Sequence, residues 1–162
     1  MDINQEVERL REIPMLSKVE TSRLKLLAFT SRLVQYEDRE ALFHVGDPAD
    51  SVYLVMEGEV EILAETEGGE TTTLVRGENA LIGEMAVISK QERSASVRAR
   101  GNVLVLRIED DVFLQLLTGN AEVALDVMRQ LSDKLAEAHH ANEQLQNQLF
   151  ALKAVQAGGE DG

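Results

Sequence analysis

The chain has 162 residues, 16 Lys and Arg against 29 Asp and Glu, and a formal charge of −13. Such a balance argues against a nucleic-acid surface, which needs clustered cations to displace counterions, though a local arginine can still hold an anion at short range. With no cysteine there can be no disulfide, thiolate nucleophile or cysteine-ligated cluster, which fits a reducing cytoplasm.

The length suits one domain plus an appendage. No segment is long and apolar enough to span a bilayer, and the first residues, Met-Asp-Ile-Asn-Gln-Glu, lack a basic-then-apolar signal pattern. Residues 2–12 carry Ile3, Val7 and Leu10 at helical spacing and stop before Pro14. Thr21 to Phe29 reads as a second short helix with Leu24, Leu27 and Ala28 on one side. From Leu33 the period changes to two. Seven strands are expected, over Leu33–Tyr36, Ala41–His44, Val52–Met56, Val60–Glu65, Thr71–Val75, Ala95–Arg100 and Val103–Ile108. Turn chemistry separates them at Gly46-Asp47-Pro48, Glu57-Gly58, Gly68-Gly69, Arg76-Gly77 and Gly101-Asn102. Many short strands with regular turns predict an antiparallel roll or barrel.

Between the last two groups of strands lies Ile82 to Val97. Gly83 lets backbone approach a ligand, and the short apolar turn after it begins with N–H groups that have no intrahelical acceptor. Arg93 closes the loop with a fork that fits two phosphate oxygens. Glu84 suits a ligand that also offers hydroxyls. A nucleotide with one phosphodiester and a ribose hydroxyl would use all three features; the alternative is a surface loop with a helix cap and a solvated arginine, or one paired to Glu92 or another surface acid.

After Ile108 the pattern is helical. Glu109–Leu117 is a short amphipathic helix, Gly119-Asn120 a break, and a long helix runs from Ala121 to about Val155. Met128, Leu131, Leu135, Ala138, Asn142, Leu145, Leu149 and Leu152 alternate three and four apart, a heptad seam with one polar member. A lone Asn in such a seam favours a parallel two-stranded register, so a parallel homodimer is expected; one helix folded on its own domain is the alternative. The domain boundaries expected are 1–127 for the sheet domain with its flanking helices, 128–155 for the coiled coil and 156–162 for a disordered tail.

The run Gly83-Glu84-Met85-Ala86 followed by Gln91-Glu92-Arg93-Ser94-Ala95 closely resembles the phosphate-binding cassette of cyclic-nucleotide-binding domains, the catabolite activator-like sensors among them. Phe43-His44-Val45-Gly46-Asp47 and Asp50 to Val60 resemble the first half of the same β-roll, and the likeness spans about Leu16 to Leu135. The resemblance implies an α+β fold: an antiparallel β-roll, double-stranded and jelly-roll-like, with flanking helices and a long C-terminal dimerisation helix. It implies that Arg93 clamps the phosphate, that Glu84 takes the ribose 2′-hydroxyl, and that the N–H groups of Met85 and Ala86 point at the phosphate. Ser94 would add a hydroxyl and Ala95 would leave room for the ring. Gly46 and Gly58 would only shape turns.

Two departures stand out. Asn79-Ala80 lengthens the loop before the cassette, which leaves its entry angle open. At the base end, Ala138 and His139 stand where the resembled helix carries hydroxyl residues. His139 would either bond a purine edge or be a solvated histidine beside the seam; Lys134 would either pair with Glu84 or lie exposed. The expected function is a cyclic-nucleotide-binding regulatory module, cAMP favoured over cGMP. It would couple ligand binding to the dimer helix and act through a partner protein, since no helix-turn-helix segment follows. A nucleotide-independent dimeric interaction protein of the same fold is the alternative. No enzyme activity, metal or resident cofactor is expected: the sheet region holds only His44 among histidines, too few for a metal-dependent roll enzyme, and no nucleophile–base pair stands out.

Overall fold

The computed structural model describes the backbone of residues 2–160, and the side chains within that span other than those of residues 65, 66, 73 and 158–160. Two compact units emerge, Met1–Asp126 and Val127–Gly162. The first opens with α1, Ile3–Arg11, started by a capping box in which the Asp2 side chain accepts from the Gln5 N–H and Gln5 reaches back. Val7 and Leu10 form its buried side, while Ile3 stays partly exposed. A single 3-10 turn, Pro14–Leu16, leads to α2, Thr21–Thr30, which buries Leu24 and Leu27.

Six strands make one antiparallel sheet: β1 Arg32–Tyr36, β2 Ala41–Phe43, β3 Ser51–Thr66, β4 Gly69–Arg76, β5 Leu81–Ile82 and β6 Ser96–Glu109. The main path runs β1-β6-β3-β4, with β2 on β6 and β5 on β3. This is the antiparallel β-roll with flanking helices. Val55, Val60, Val97, Ala99, Val103 and Val105 are buried in its core, the β-branched residues fitting a pleated interior surface.

Seven expected strands become five because two turn signals are bulges, and the short β5 brings the sheet to six. Gly58 takes φ +87° and Gly101 φ +72°, yet the strands run through both. The pairing passes from Glu57 opposite Leu104 to Glu59 opposite Arg100, so the extra residues around Gly101-Asn102 are absorbed on β6 where β3 bends at Gly58. A Cβ on Gly58 would lie 2.4 Å from the Asn102 carbonyl oxygen, so glycine is required for the two bends to nest. The short β5 was not foreseen. Asn79-Ala80, which left the cassette's entry open, is tied to β3: the Asn79 N–H donates to the Val55 carbonyl (2.8 Å) and the Val55 N–H to the Ala80 carbonyl (2.9 Å). Asn79 meets the turn with φ +69°, a conformation asparagine tolerates better than most side chains.

Helix α3, Glu84–Ser89, follows β5, and α4, Asp110–Gly119, follows β6 with Phe113 and Leu116 buried. Helix α5 is Ala121–Glu160, beginning in the first unit and making up the described part of the second. It continues past the expected stop near Val155, so residues 156–160 of the expected disordered tail are helical. No proline intervenes, and each added residue gains one main-chain hydrogen bond. Asp161 and Gly162 lie outside the described residues. Among the described residues no helix is long and apolar enough to cross a membrane.

Candidate functional site

The site grows from a tight junction between β5 and α3. Gly83 caps α3 with φ +83°, in the left-handed region where a side chain is strained. A Cβ there would also lie 2.3 Å from a terminal nitrogen of Arg93. No side chain caps α3, and the first-turn N–H groups of Met85 and Ala86 have no intrahelical acceptor, as at any helix N-terminus. Glu84 opens the helix and is 1% exposed, whereas Met85 is open to solvent and Ala86 half-buried. A carboxylate in a first helical turn is favoured by the helix dipole, which suits Glu84 to its place.

Arg93 returns to this junction from the other end of the loop. It is 3% exposed, and its two terminal nitrogens donate to main-chain carbonyls, of Gly83 at 2.8 Å and of Ser51 at 2.5 Å. Its Nε is buried without a hydrogen-bond partner. The alternative of a surface arginine paired with Glu92 is thereby set aside. Burial pushes its pKa below the ordinary guanidinium value, with Tyr53, Asp50 and Asp47 acting the other way. An arginine so lowered is still cationic at neutral pH.

The arginine's backbone is clasped as firmly as its head. Its N–H donates to the Asp47 carbonyl (2.9 Å), and its carbonyl accepts from Gly46 (2.8 Å), whose φ is +88°. The Gly46-Asp47 turn, read as purely structural, is thus a direct support for Arg93. A second brace is Ser96, buried at the start of β6, whose hydroxyl accepts from the Val45 N–H at 2.9 Å. Ser94, the hydroxyl expected at the ligand, is exposed in a bend, and Ala95 is half-buried.

Two aromatic rings complete the floor. The guanidinium carbon of Arg93 lies 4.1 Å from the Phe43 ring centre and 6.0 Å from that of Tyr53; the two rings are 5.7 Å apart. Neither ring was given a role at the site from the sequence, where both fall in expected strands. Their position against Arg93 depends on how β2 and β3 each reach the cassette, which local patterning does not encode.

Gly83, Glu84, Met85, Ala86, Arg93, Ser94 and Ala95 all belong to this one loop–helix–loop, with Gly83 and Arg93 in direct contact. Lys134 and His139 belong to the second unit. There His139 faces Glu143 one turn on, 3.2 Å away, and Lys134 is half-buried. No group of three or more His, Asp or Glu suited to a metal occurs among the described residues.

Residues 33–120 match the family model described as the cyclic nucleotide-binding domain. Uncharacterized NTE family proteins of Mycobacterium bovis and Mycobacterium tuberculosis are 31% identical over 132 residues, 82% of this chain and 22% of theirs. The cAMP-dependent protein kinase type II regulatory subunit of Drosophila melanogaster is 29% identical over 126 residues, 78% of this chain and 33% of that protein. The chain therefore spans well under half the length of these curated relatives. Among solved structures, the catabolite activator protein of Thermus thermophilus superposes with a TM-score of 0.69 at 27% identity, covering 82% of this chain and 62% of that one.

Proposed function

The chain belongs to the cyclic nucleotide-binding domain family, and from that premise we propose that it is a regulatory module whose cassette holds cAMP in preference to cGMP. The observation that carries the reading is the buried Arg93 head, held between the Gly83 and Ser51 carbonyls with its Nε–H unspent. A guanidinium carries five N–H donors; two serve the carbonyls, and the remainder suit the oxygens of a phosphodiester. The N–H groups of Met85 and Ala86 supply neutral donors to the same phosphate. Glu84 accepts from the ribose 2′-hydroxyl, which explains a carboxylate beside an anion. Ser94 adds a hydroxyl from the rim, and Ala95 leaves space for the ring.

The preference for cAMP follows the cAMP-dependent relatives. The apolar seam of α5 supports a parallel homodimer: Met128, Leu135, Leu145, Leu149 and Leu152 are all more than half exposed in the single chain. Ligand that prefers one orientation of this helix would shift its population, and the shift would be read by a partner protein. A nucleotide-independent interaction protein is the second reading, favoured by one fact: Arg93 already has carbonyl partners.

A thermal-shift series separates the two. At a hundredfold excess over Kd, a ligand of the folded state adds about 2.7 kcal/mol, or about 5–10 °C in a chain of this size. That rise is expected with cAMP, a smaller one with cGMP, and little with 5′-AMP, whose phosphate is an open dianion. No shift with either cyclic nucleotide would favour the second reading.

A further inference from the structure

Two hydrogen bonds do not fix a planar head. The terminal nitrogens of Arg93 are tied to the carbonyls of Gly83 and Ser51, and its Nε is joined to a stem with rotatable bonds, so a small tilt of the head stays open unless something packs against its face. Something must stop that tilt if the fork is to meet a phosphate in one orientation. Phe43, at the end of β2 and 9% exposed, lies with its ring centre 4.1 Å from the guanidinium carbon. It is backed by Tyr53 at 5.7 Å and comes within 3.4 Å of the space where a Gly83 Cβ would be. The Tyr53 hydroxyl in turn donates to the Leu42 carbonyl at 3.5 Å, next to Phe43 in the chain.

We propose that Phe43 is a positioning residue that sets the plane of the Arg93 guanidinium, and through it the choice between the two exocyclic oxygens of a bound cyclic phosphodiester. The proposal rests on the reading of Arg93 as the phosphate clamp. A flat ring both blocks the tilt and attracts the cation through its negative face. Leucine or methionine would fill much of the same space but offers neither a plane nor a quadrupole. The two exocyclic oxygens of a cyclic phosphate are stereochemically distinct. A fork held in one plane favours one of them, whereas a rocking fork reaches either.

The Rp and Sp phosphorothioates of cAMP test this, because each replaces one exocyclic oxygen with sulfur, a poorer hydrogen-bond acceptor. Titration calorimetry of the full chain would compare cAMP and both diastereomers in the wild type, in Phe43→Leu and in Phe43→Met, the last standing in if the leucine variant fails to fold. The wild type is expected to bind one diastereomer about tenfold tighter than the other or better. The variants are expected to lose about 3- to 30-fold in cAMP affinity, with the diastereomer ratio falling towards one. Loss of packing alone would weaken both diastereomers alike. A ratio kept at its wild-type value would overturn the positioning role and leave the clamp intact. Absence of cAMP binding in the wild type would overturn the clamp, and this inference with it.

Discussion

Replacing Gly83 with alanine strikes the junction at its narrowest point. The added methyl would fall 2.3 Å from the Arg93 terminal nitrogen. Against the tip of a solvated arginine that clash would cost little, since a flexible side chain simply swings aside. Here the tip is buried, bonded to two carbonyls and backed by a ring, so moving it breaks at least the 2.8 Å bond to the Gly83 carbonyl. A charge-assisted bond of this kind is worth about 1.5–3 kcal/mol, and a left-handed backbone costs a non-glycine residue about 1–2 kcal/mol more. The sum, about 2.5–5 kcal/mol, corresponds to a fall of about 5–20 °C in melting temperature at this chain length. Calorimetric melting measures it, and cAMP titration of the same variant should show affinity reduced about tenfold or more as the fork is displaced. If Gly83→Ala melts within about a degree of the wild type and binds cAMP equally well, the packing of Arg93 against Gly83 has been misjudged.

Other expectations follow from the same geometry. Gly58→Ala should destabilise at least as much as Gly83→Ala, because its methyl would meet main chain at 2.4 Å that cannot swing away; its cAMP affinity, measured on the folded fraction, should be unchanged. Arg98 donates to Glu61 at 2.8 Å and holds its carboxyl below the ordinary value of 4.5. A carboxyl lowered on folding stabilises fully above its unfolded pKa and loses that contribution as pH falls through the lower folded value. Glu61→Gln should therefore lower the urea midpoint at pH 7, with the difference vanishing as pH drops below 4.5. Leu145→Asp, placed mid-seam, should convert a dimer into monomer in sedimentation equilibrium; a wild-type chain that is already monomeric, or a variant that stays dimeric, would refute the coiled-coil reading.

The cassette was legible because its parts are local. Gly83, the apolar turn that becomes α3, and Arg93 lie within eleven residues, and each residue type is demanded by its own backbone or charge. Most strand positions were equally plain from their alternation. What the sequence hid was anything set by two distant segments meeting. Gly58 and Gly101 looked like turns, since a left-handed glycine marks a hairpin and a bulge alike, and only their nesting on neighbouring strands tells them apart. The Phe43 ring under Arg93, the Ser51 carbonyl and the Ser96 brace come from three strands, and no periodicity announces them. The long helix showed its seam clearly, but its end was misread because polar and glycine residues signal a stop only weakly when no proline enforces one.

The central claim is that a buried guanidinium at Arg93 holds a cyclic phosphate, and titration calorimetry of cAMP into the wild type and Arg93→Ala tests it most directly. The account predicts saturable binding to the wild type, weakened in the variant by about 2–5 kcal/mol, the cost of leaving a buried phosphate without its cation. Equal affinity in the two proteins, with Arg93→Ala still folded, would contradict it.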